Sequence, residues 1–380
     1  MGDVHPRTLK ITAFGTNSLA GMSSALTLRA GPRALALIRE RGLRLDDIDV
    51  MPGASGGAKW LAIAGLDRYL FGTLLQPRES HPRTRPLHCI GSSIGSWRMA
   101  CFAQRDPIAA LDRGHHAYIY EQLYTDKPGP REVTVVLSRC LDLLLGTDGV
   151  NEILSHPFAR LHVITAQGRG LAASDRRFVL ATALAIAASS NAVRRRTLSL
   201  HFRRTIFNGA GDRSPFLGLR DLPTAHRDLT RENLRDVLLA SGSIPLLVDG
   251  VHIAGEPRGV HWDGGVVDYH LDLDFGGGDG LVLYPHFYPH VVPGWFDKSL
   301  PWRRARAKNF DRALIIAPSA AFVATLPGGK IPDRRDFYAF TQSERERRWQ
   351  QARDLSSRLG EELHELIERG RLAEQVEAWE

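Results

Sequence analysis

Two glycine-rich turns constrain what this chain can fold into more than any other feature. Gly53-Ala54-Ser55-Gly56-Gly57 and Gly91-Ser92-Ser93-Ile94-Gly95 each follow a short apolar run, and each precedes a stretch with helical spacing. A backbone turning this sharply from strand to helix needs positions without a Cβ, because a side chain there would collide with the incoming helix. The phrase strand, glycine turn, helix occurs twice and is then continued by further alternation. That pattern predicts an α/β fold with a mainly parallel sheet.

Strands are expected at 47–51, 87–90, 161–165, 281–284 and 313–317, where short apolar runs lie between turn residues. Aromatic and β-branched residues alternate over 197–207, which predicts a strand with one wet face. Helices are expected at 58–70 and 96–104, and over 175–188, an alanine-rich stretch read as buried. A further helix should start at Pro32 and stop at Gly42. Residues 1–30 show no clear period and read as a mobile lead-in. The main domain is expected over 31–340. A charged helical segment should occupy 341–380, with Thr341-Gln342-Ser343-Glu344 at capping-box spacing.

Composition narrows the class. With 43% hydrophobic and 24% charged residues, the 380-residue chain can bury a sizeable core, which excludes wholesale disorder. The formal net charge of +7 favours an anionic partner only weakly, since the basic residues are dispersed apart from clusters such as Arg194-Arg195-Arg196. No nucleic-acid-binding motif accompanies that charge, so nucleic acid is not an expected partner. Cys89, Cys101 and Cys140 are three, without a Cys-x-x-Cys pair. Neither a disulfide framework nor a zinc site is indicated, and a reducing cytoplasm is the expected compartment. There is no His-Glu-x-x-His spacing and no apolar run of membrane-spanning length, and a cleaved signal peptide is disfavoured. No metal and no cofactor is expected.

Both turns fit Gly-x-Ser-x-Gly, the pattern that holds a nucleophilic serine on a strained bend at a helix N-terminus. Ser93 follows its apolar run directly, whereas Ser55 lies in a looser turn behind Pro52. Gly56 and Gly57 offer uncrowded amides of the kind an oxyanion hole requires. The second turn is therefore read as the nucleophile elbow, flanked by Gly91 and Gly95, and the first as the oxyanion segment. Its half-likeness to a phosphate-binding P-loop fails at Ala58 and Trp60. A third element, Trp262-Asp263-Gly264-Gly265, sets a carboxylate before two glycines.

The order and spacing of these three motifs resemble the patatin-like phospholipase family over roughly residues 31–275. That family has a glycine-rich Asp-Gly-Gly-Gly-x-Arg-Gly segment, a Gly-x-Ser-x-Gly elbow and a distant Asp-Gly-Gly. Here Ala54 to Trp60 stands for the first, with Ala54 and Ser55 replacing its Asp and first Gly, Lys59 its Arg and Trp60 its last Gly. The segment Leu239 to Pro245 is similar to the family's small-residue stretch ending in Ile-Pro. The resemblance implies a three-layer α/β/α fold and a lipid acyl hydrolase. Its catalytic pair would be Ser93 and Asp263, without histidine. Gly56 and Gly57 would form the oxyanion hole, supported by Lys59, Gly264 and Gly265. It also implies a lipid or other acyl-ester substrate, and the basic charge balance would favour contact with anionic membrane surfaces.

Two alternatives stay open at this point. One is a Ser-Asp-His esterase, for which His270, His286, His290 and His364 follow Asp263 in the chain. The other is a lipid-binding relative without activity. For an acyl groove, Leu246-Leu247-Val248 and the aromatic run Tyr284 to Tyr288 are candidates, with core packing as the plainer role of each. Oligomeric state is not legible.

Overall fold

The computed structural model describes residues 23–77, 83, 85–209, 211, 213–256, 259–276 and 278–379. Its strands in chain order are β1 (Leu26–Ala30), β2 (Ile48–Gly53), β3 (Leu87–Ser92), β4 (Ala159–Gly168), β5 (Phe202–Asn208), β6 (Thr224–Asp228), β7 (His261–Asp263), β8 (Leu281–Pro285), β9 (Ala313–Pro318) and β10 (Val376–Ala378). The α-helices are α1 (Pro32–Arg41), α2 (Ala64–Tyr69), α3 (Ile94–Phe102), α4 (Pro107–Tyr120), α5 (Pro130–Leu145), α6 (Gly149–Leu154), α7 (Arg177–Val193), α8 (Leu234–Ser241), α9 (Ala320–Thr325), α10 (Asp336–Ala339), α11 (Gln342–Leu355), α12 (Ser357–Glu368) and α13 (Leu372–Gln375).

The strands form a single mixed sheet in the order β10-β1-β9-β8-β2-β3-β4-β5-β6, with β7 paired to β4 beside that path. Pairing is antiparallel at β1–β9, β4–β5 and β4–β7, and parallel elsewhere. The chain is thus α/β with a mainly parallel sheet in a three-layer α/β/α arrangement. The central strands β3, β8 and β9 are buried at every position, as strands covered on both faces must be.

Several expectations need correction. Residues 26–30 are the strand β1, held between β9 and β10, so this end of the lead-in is part of the sheet. Residues 1–22 lie outside the described residues. The stretch 58–70 is not one helix: a 3-10 segment, Gly57–Ile63, precedes α2, and a π-turn at Leu70–Leu74 follows it. Residues 195–200 form a 3-10 turn, and β5 behind it has no wet face: Phe202 and Arg204 to Phe207 are buried, and Arg203 and Asn208 are half-buried. The alanine-rich helix α7 is not buried throughout, since Phe178 is 91% and Val193 87% exposed. Its packed face carries Leu180, Ala183, Leu184 and Ala187, while Phe178, Ile186 and Val193 fall on the outer face.

The chain's last segment has helices α11 and α12 before the closing strand β10. Thr341 caps α11 by accepting from the Glu344 amide. Gly65 in α2 and Gly360 in α12 approach so closely that a Cβ on Gly360 would meet the Gly65 carbonyl oxygen at 2.5 Å. In the core, Arg98 in α3 is fully buried and is bound by both carboxylate oxygens of Asp67 in α2, at 2.8 and 2.6 Å. Burial raises the Asp67 pKa, and the Arg98 cation opposes that rise. No helix among the described residues is long and apolar enough to cross a membrane.

Candidate active site

β2 and β3 are adjacent and parallel, with Gly53 opposite Gly91, so their two C-terminal turns lie side by side. Four glycines shape these turns, and two of them, Gly53 and Gly95, make the contact between them. A Cβ on Gly95 would lie 1.9 Å from the Gly53 carbonyl oxygen, and one on Gly53 would lie 2.4 Å from the Gly95 oxygen. A Cβ on Gly91 would sit 2.5 Å from the Ser96 amide nitrogen. The fourth, Gly57, adopts φ +56, a left-handed conformation that favours glycine.

Ser93 sits between β3 and α3 at φ +54, ψ −136, a rare backbone state for a residue with a side chain. Such strain costs about 1–3 kcal/mol and persists only where neighbours over-determine it. Here the Ser93 amide donates to Ser241 Oγ at 2.9 Å, and Ser241 Oγ in turn donates to the Ile164 carbonyl at 2.7 Å. The Ser93 carbonyl accepts from the Ser96 amide and hydroxyl. The bend therefore turns the side chain away from the sheet at the start of a fully buried helix.

Asp263 ends β7, whose pairing with β4 places it across from Thr165, one residue beyond the Ile164 that pairs with Ser92. Ser93 Oγ donates to Asp263 Oδ2 at 2.7 Å, and the Gly265 amide donates to Asp263 Oδ1 at 2.7 Å. The Asp263 amide donates to the Ser243 carbonyl at 2.9 Å. Gly264 and Gly265 are required by close approach. A Cβ on Gly264 would meet the Ile164 oxygen at 2.3 Å, and one on Gly265 would meet Ser55 Oγ at 2.6 Å. From behind, Asp268 is gripped by Arg204 at 2.5 and 2.7 Å, which anchors the loop carrying the carboxylate.

Asp263 is 5% exposed, and burial raises its pKa to about 6 against the opposing effects of the Ser93 and Gly265 hydrogen bonds. Lys298 and Arg334 pull it down further. Lys298 Nζ lies 3.8 Å from the centre of the Tyr269 ring, and the Tyr269 carbonyl accepts from the Ser55 amide.

Ser93 opens onto a cavity of about 500 Å³. Gly57 and Ala58 share its wall, together with Ile94, Trp97, Leu137, Leu247 and Val248. The amides of Gly56, Gly57 and Ala58 donate to no protein acceptor among the described residues. Of these three residues only Gly57 and Ala58 line the cavity, while Gly56 packs on Phe287, whose ring a Cβ would meet at 2.5 Å. Ala58 was not singled out in the sequence, because nothing in its side chain signals an open amide. Lys59 is half-buried beside Asp333 and Arg334, and burial lowers its pKa; it does not line the cavity.

Other expectations resolve by geometry. Ser55 is 2% exposed and its hydroxyl bonds Ser92 Oγ at 2.6 Å; because Ser92 Oγ donates onward to the Asp268 carbonyl, Ser55 serves as the donor. No histidine among the described residues hydrogen-bonds Ser93 or Asp263. His270 Nδ1 accepts from the Val292 amide, His286 Nδ1 from the Tyr288 amide, His290 stacks on Tyr288 and His364 lies against Tyr69. Leu247 and Val248 reach the cavity, whereas the run Tyr284 to Tyr288 does not: Tyr284 donates its hydroxyl to the His270 carbonyl in the core. Tyr118, from α4, is a cavity residue that the sequence did not reveal. Its hydroxyl is 3.4 Å from the place a Gly57 Cβ would occupy and makes no hydrogen bond among the described residues.

No metal-binding group of histidine, cysteine and carboxylate side chains occurs among the described residues. No protein-family model matches the chain, and no curated protein matches it.

Proposed function

We propose that this protein is a serine carboxylic ester hydrolase that cleaves lipid acyl esters through a Ser-Asp dyad, in the manner of the patatin-like phospholipases its motifs resemble. The observation that carries the reading is the 2.7 Å hydrogen bond from Ser93 to Asp263 at the wall of a largely apolar cavity. Ser93 Oγ attacks the ester carbonyl carbon as its proton passes to Asp263 Oδ2. The tetrahedral oxyanion is met by the open amides of Gly57 and Ala58, with Gly56 behind them. Collapse expels the alcohol, which takes the proton from Asp263. Water then attacks the acyl-enzyme, gives its proton to the same carboxylate, and Ser93 recovers it on release of the acid.

The elevated pKa suits this double role, since a carboxylate near 6 is a better proton acceptor than an exposed one and remains largely ionised at neutral pH. A Ser-Asp-His triad receives no support from the geometry, as both Asp263 oxygens are engaged by Ser93 and Gly265. Membrane contact belongs to the same reading. Exposed Phe178, Ile186 and Val193 on α7, with Leu171 and Leu200 nearby in sequence, are bordered by exposed Arg176, Arg177, Arg194 and Arg196. An apolar face edged with arginines suits the headgroup region of an anionic bilayer. We place the enzyme in the reducing cytoplasm at such a surface; its three described cysteines are buried thiols.

A fluorophosphonate probe tests the central claim. Stoichiometric labelling of the native protein, lost in Ser93→Ala, is the expected result. Absence of labelling together with absence of p-nitrophenyl ester hydrolysis would refute it.

A further inference from the structure

Among the described residues three arginines are at most 5% exposed, and two of them are neutralised. Arg98 is held by Asp67, and Arg204 by Asp268 and Asp221. The third, Arg345 of α11, is 5% exposed and has no carboxylate within ion-pairing distance among the described residues. Its Nη2 donates to the Gln122 carbonyl at 3.0 Å, and its buried Nε has no partner. The carboxylates whose field reaches it are otherwise engaged. Asp336 takes Lys330 and the Trp349 indole, and Glu346 takes Gln342. A cation drawn out of water without a counter-ion is costly, so its persistence needs a reason.

The reason lies in its position. Arg345 lines the same cavity as Ser93. Its guanidinium is 4.3 Å from the centre of the Phe337 ring and 5.3 Å from that of Trp349, which fixes its plane. Trp349 stacks on Tyr118 at 5.9 Å, and the Tyr118 hydroxyl abuts Gly57. Two ring contacts thus span the distance from the oxyanion turn to an unpaired guanidinium. Gln122 and Tyr124 complete this wall, with Tyr124 donating to Gln122 Oε1 at 3.1 Å. A second cation without an ion pair among the described residues, the exposed Arg334, lines the cavity as well. Exposed Asp126 also borders the cavity but lies beyond ion-pairing distance of either arginine.

We infer that the ester substrate carries an anionic oxygen group, a carboxylate or a phosphate, at its non-reacting end, and that Arg345 binds it. This deepens the hydrolase reading and rests on it for the identity of the reacting end. A planar guanidinium pre-set between two rings loses little freedom on taking a carboxylate or phosphate. Arg345 is thus a specificity-determining residue, removed from the bond being broken.

Two measurements test the inference separately from the hydrolase reading. In the first, kcat/KM is compared for p-nitrophenyl esters of a monocarboxylic acid and of the dicarboxylic acid of equal length, and for a monoacylglycerol against its phosphate. The first pair places the anion in the acyl part, the second in the alcohol part. The native enzyme should prefer one charged member at least tenfold. Arg345→Met should reduce that ratio at least tenfold, mainly through KM, and Arg345→Lys should restore part of it. No preference in either pair, or a preference that survives Arg345→Met, overturns the inference and leaves the hydrolase reading standing.

The second measurement needs no turnover and no Arg345 variant to fold. Calorimetric titration of Ser93→Ala with suberic acid monoethyl ester, monoacylglycerol phosphate and their neutral counterparts should show at least tenfold tighter binding of one charged ligand. Tighter binding there without ester hydrolysis by the native protein would remove the hydrolase reading and keep the anion site. Equal affinities would remove the anion site.

Discussion

Ser93 and Asp263, 170 residues apart in the chain, share a 2.7 Å hydrogen bond in which the serine hydroxyl donates to a buried carboxylate. Both partners are held by backbone rather than by chance contact. The Ser93 amide is tied to Ser241, and Asp263 is tied through its amide to Ser243 and through Oδ1 to Gly265. The short segment Ser241 to Ser243 thus sets the two side chains against each other.

Ser93→Ala and Asp263→Asn should each lower kcat on a p-nitrophenyl ester by at least about 10³-fold. Ser55→Ala, which removes only a donor to Ser92, should stay within about tenfold of the native rate. Circular dichroism would show all three folded.

In the proposed mechanism Asp263 accepts a proton and so must be ionised; with its pKa raised to about 6, kcat/KM should fall below about pH 6 with an acid limb of unit slope. Lys298 favours the ionised form. Removing that cation in Lys298→Met should move the limb to higher pH by a fraction of a unit, as measured by pH profiles of both proteins.

A carboxyl whose pKa is higher folded than unfolded favours the folded state at low pH and opposes it once pH rises through the folded value. Asp263→Asn should therefore stabilise the protein at pH 7–8, by up to about 3 kcal/mol, and the gain should shrink toward pH 4. Thermal melts across that range give the sign directly. A gain at neutral pH together with lost turnover is the expected trade between stability and activity.

Gly57 and Gly42 both have positive φ, at 56° and 75°, but only Gly57 borders the cavity. Alanine at either position should cost about 1 kcal/mol in stability through backbone strain. Gly57→Ala should also displace the open amides and lower kcat about 10²-fold, whereas Gly42→Ala should leave kcat unchanged. Parallel melts and steady-state rates separate the two effects.

On α7, Phe178→Asp with Val193→Asp should weaken co-sedimentation with vesicles containing phosphatidylserine. Rates on a soluble short-chain ester should be unaffected. A native protein that ignores vesicles and instead self-associates through this face, as gel filtration of native and variant would show, would contradict the membrane assignment.

The glycine positions and the alternation of apolar runs were readable in advance because they are local requirements. A turn from strand to helix without room for a Cβ must be glycine wherever it occurs, and buried strands need short apolar runs. These local rules located β2, β3, β4, β8 and β9 and singled out Ser93, Asp263 and the glycines around them. They could not reveal β1 and β10, which are strands only because β9 and each other supply their hydrogen bonds, nor the wet or dry faces of β5 and α7, which depend on what packs there. The sequence preferred Ser93 to Ser55 because it follows its apolar run directly, but only the tertiary structure set Ser93 against Asp263 and turned Ser55 toward Ser92. Tertiary structure alone brought Tyr118 and Arg345 to the cavity, from helices with no catalytic motif, because proximity across a folded chain leaves no mark on spacing along it.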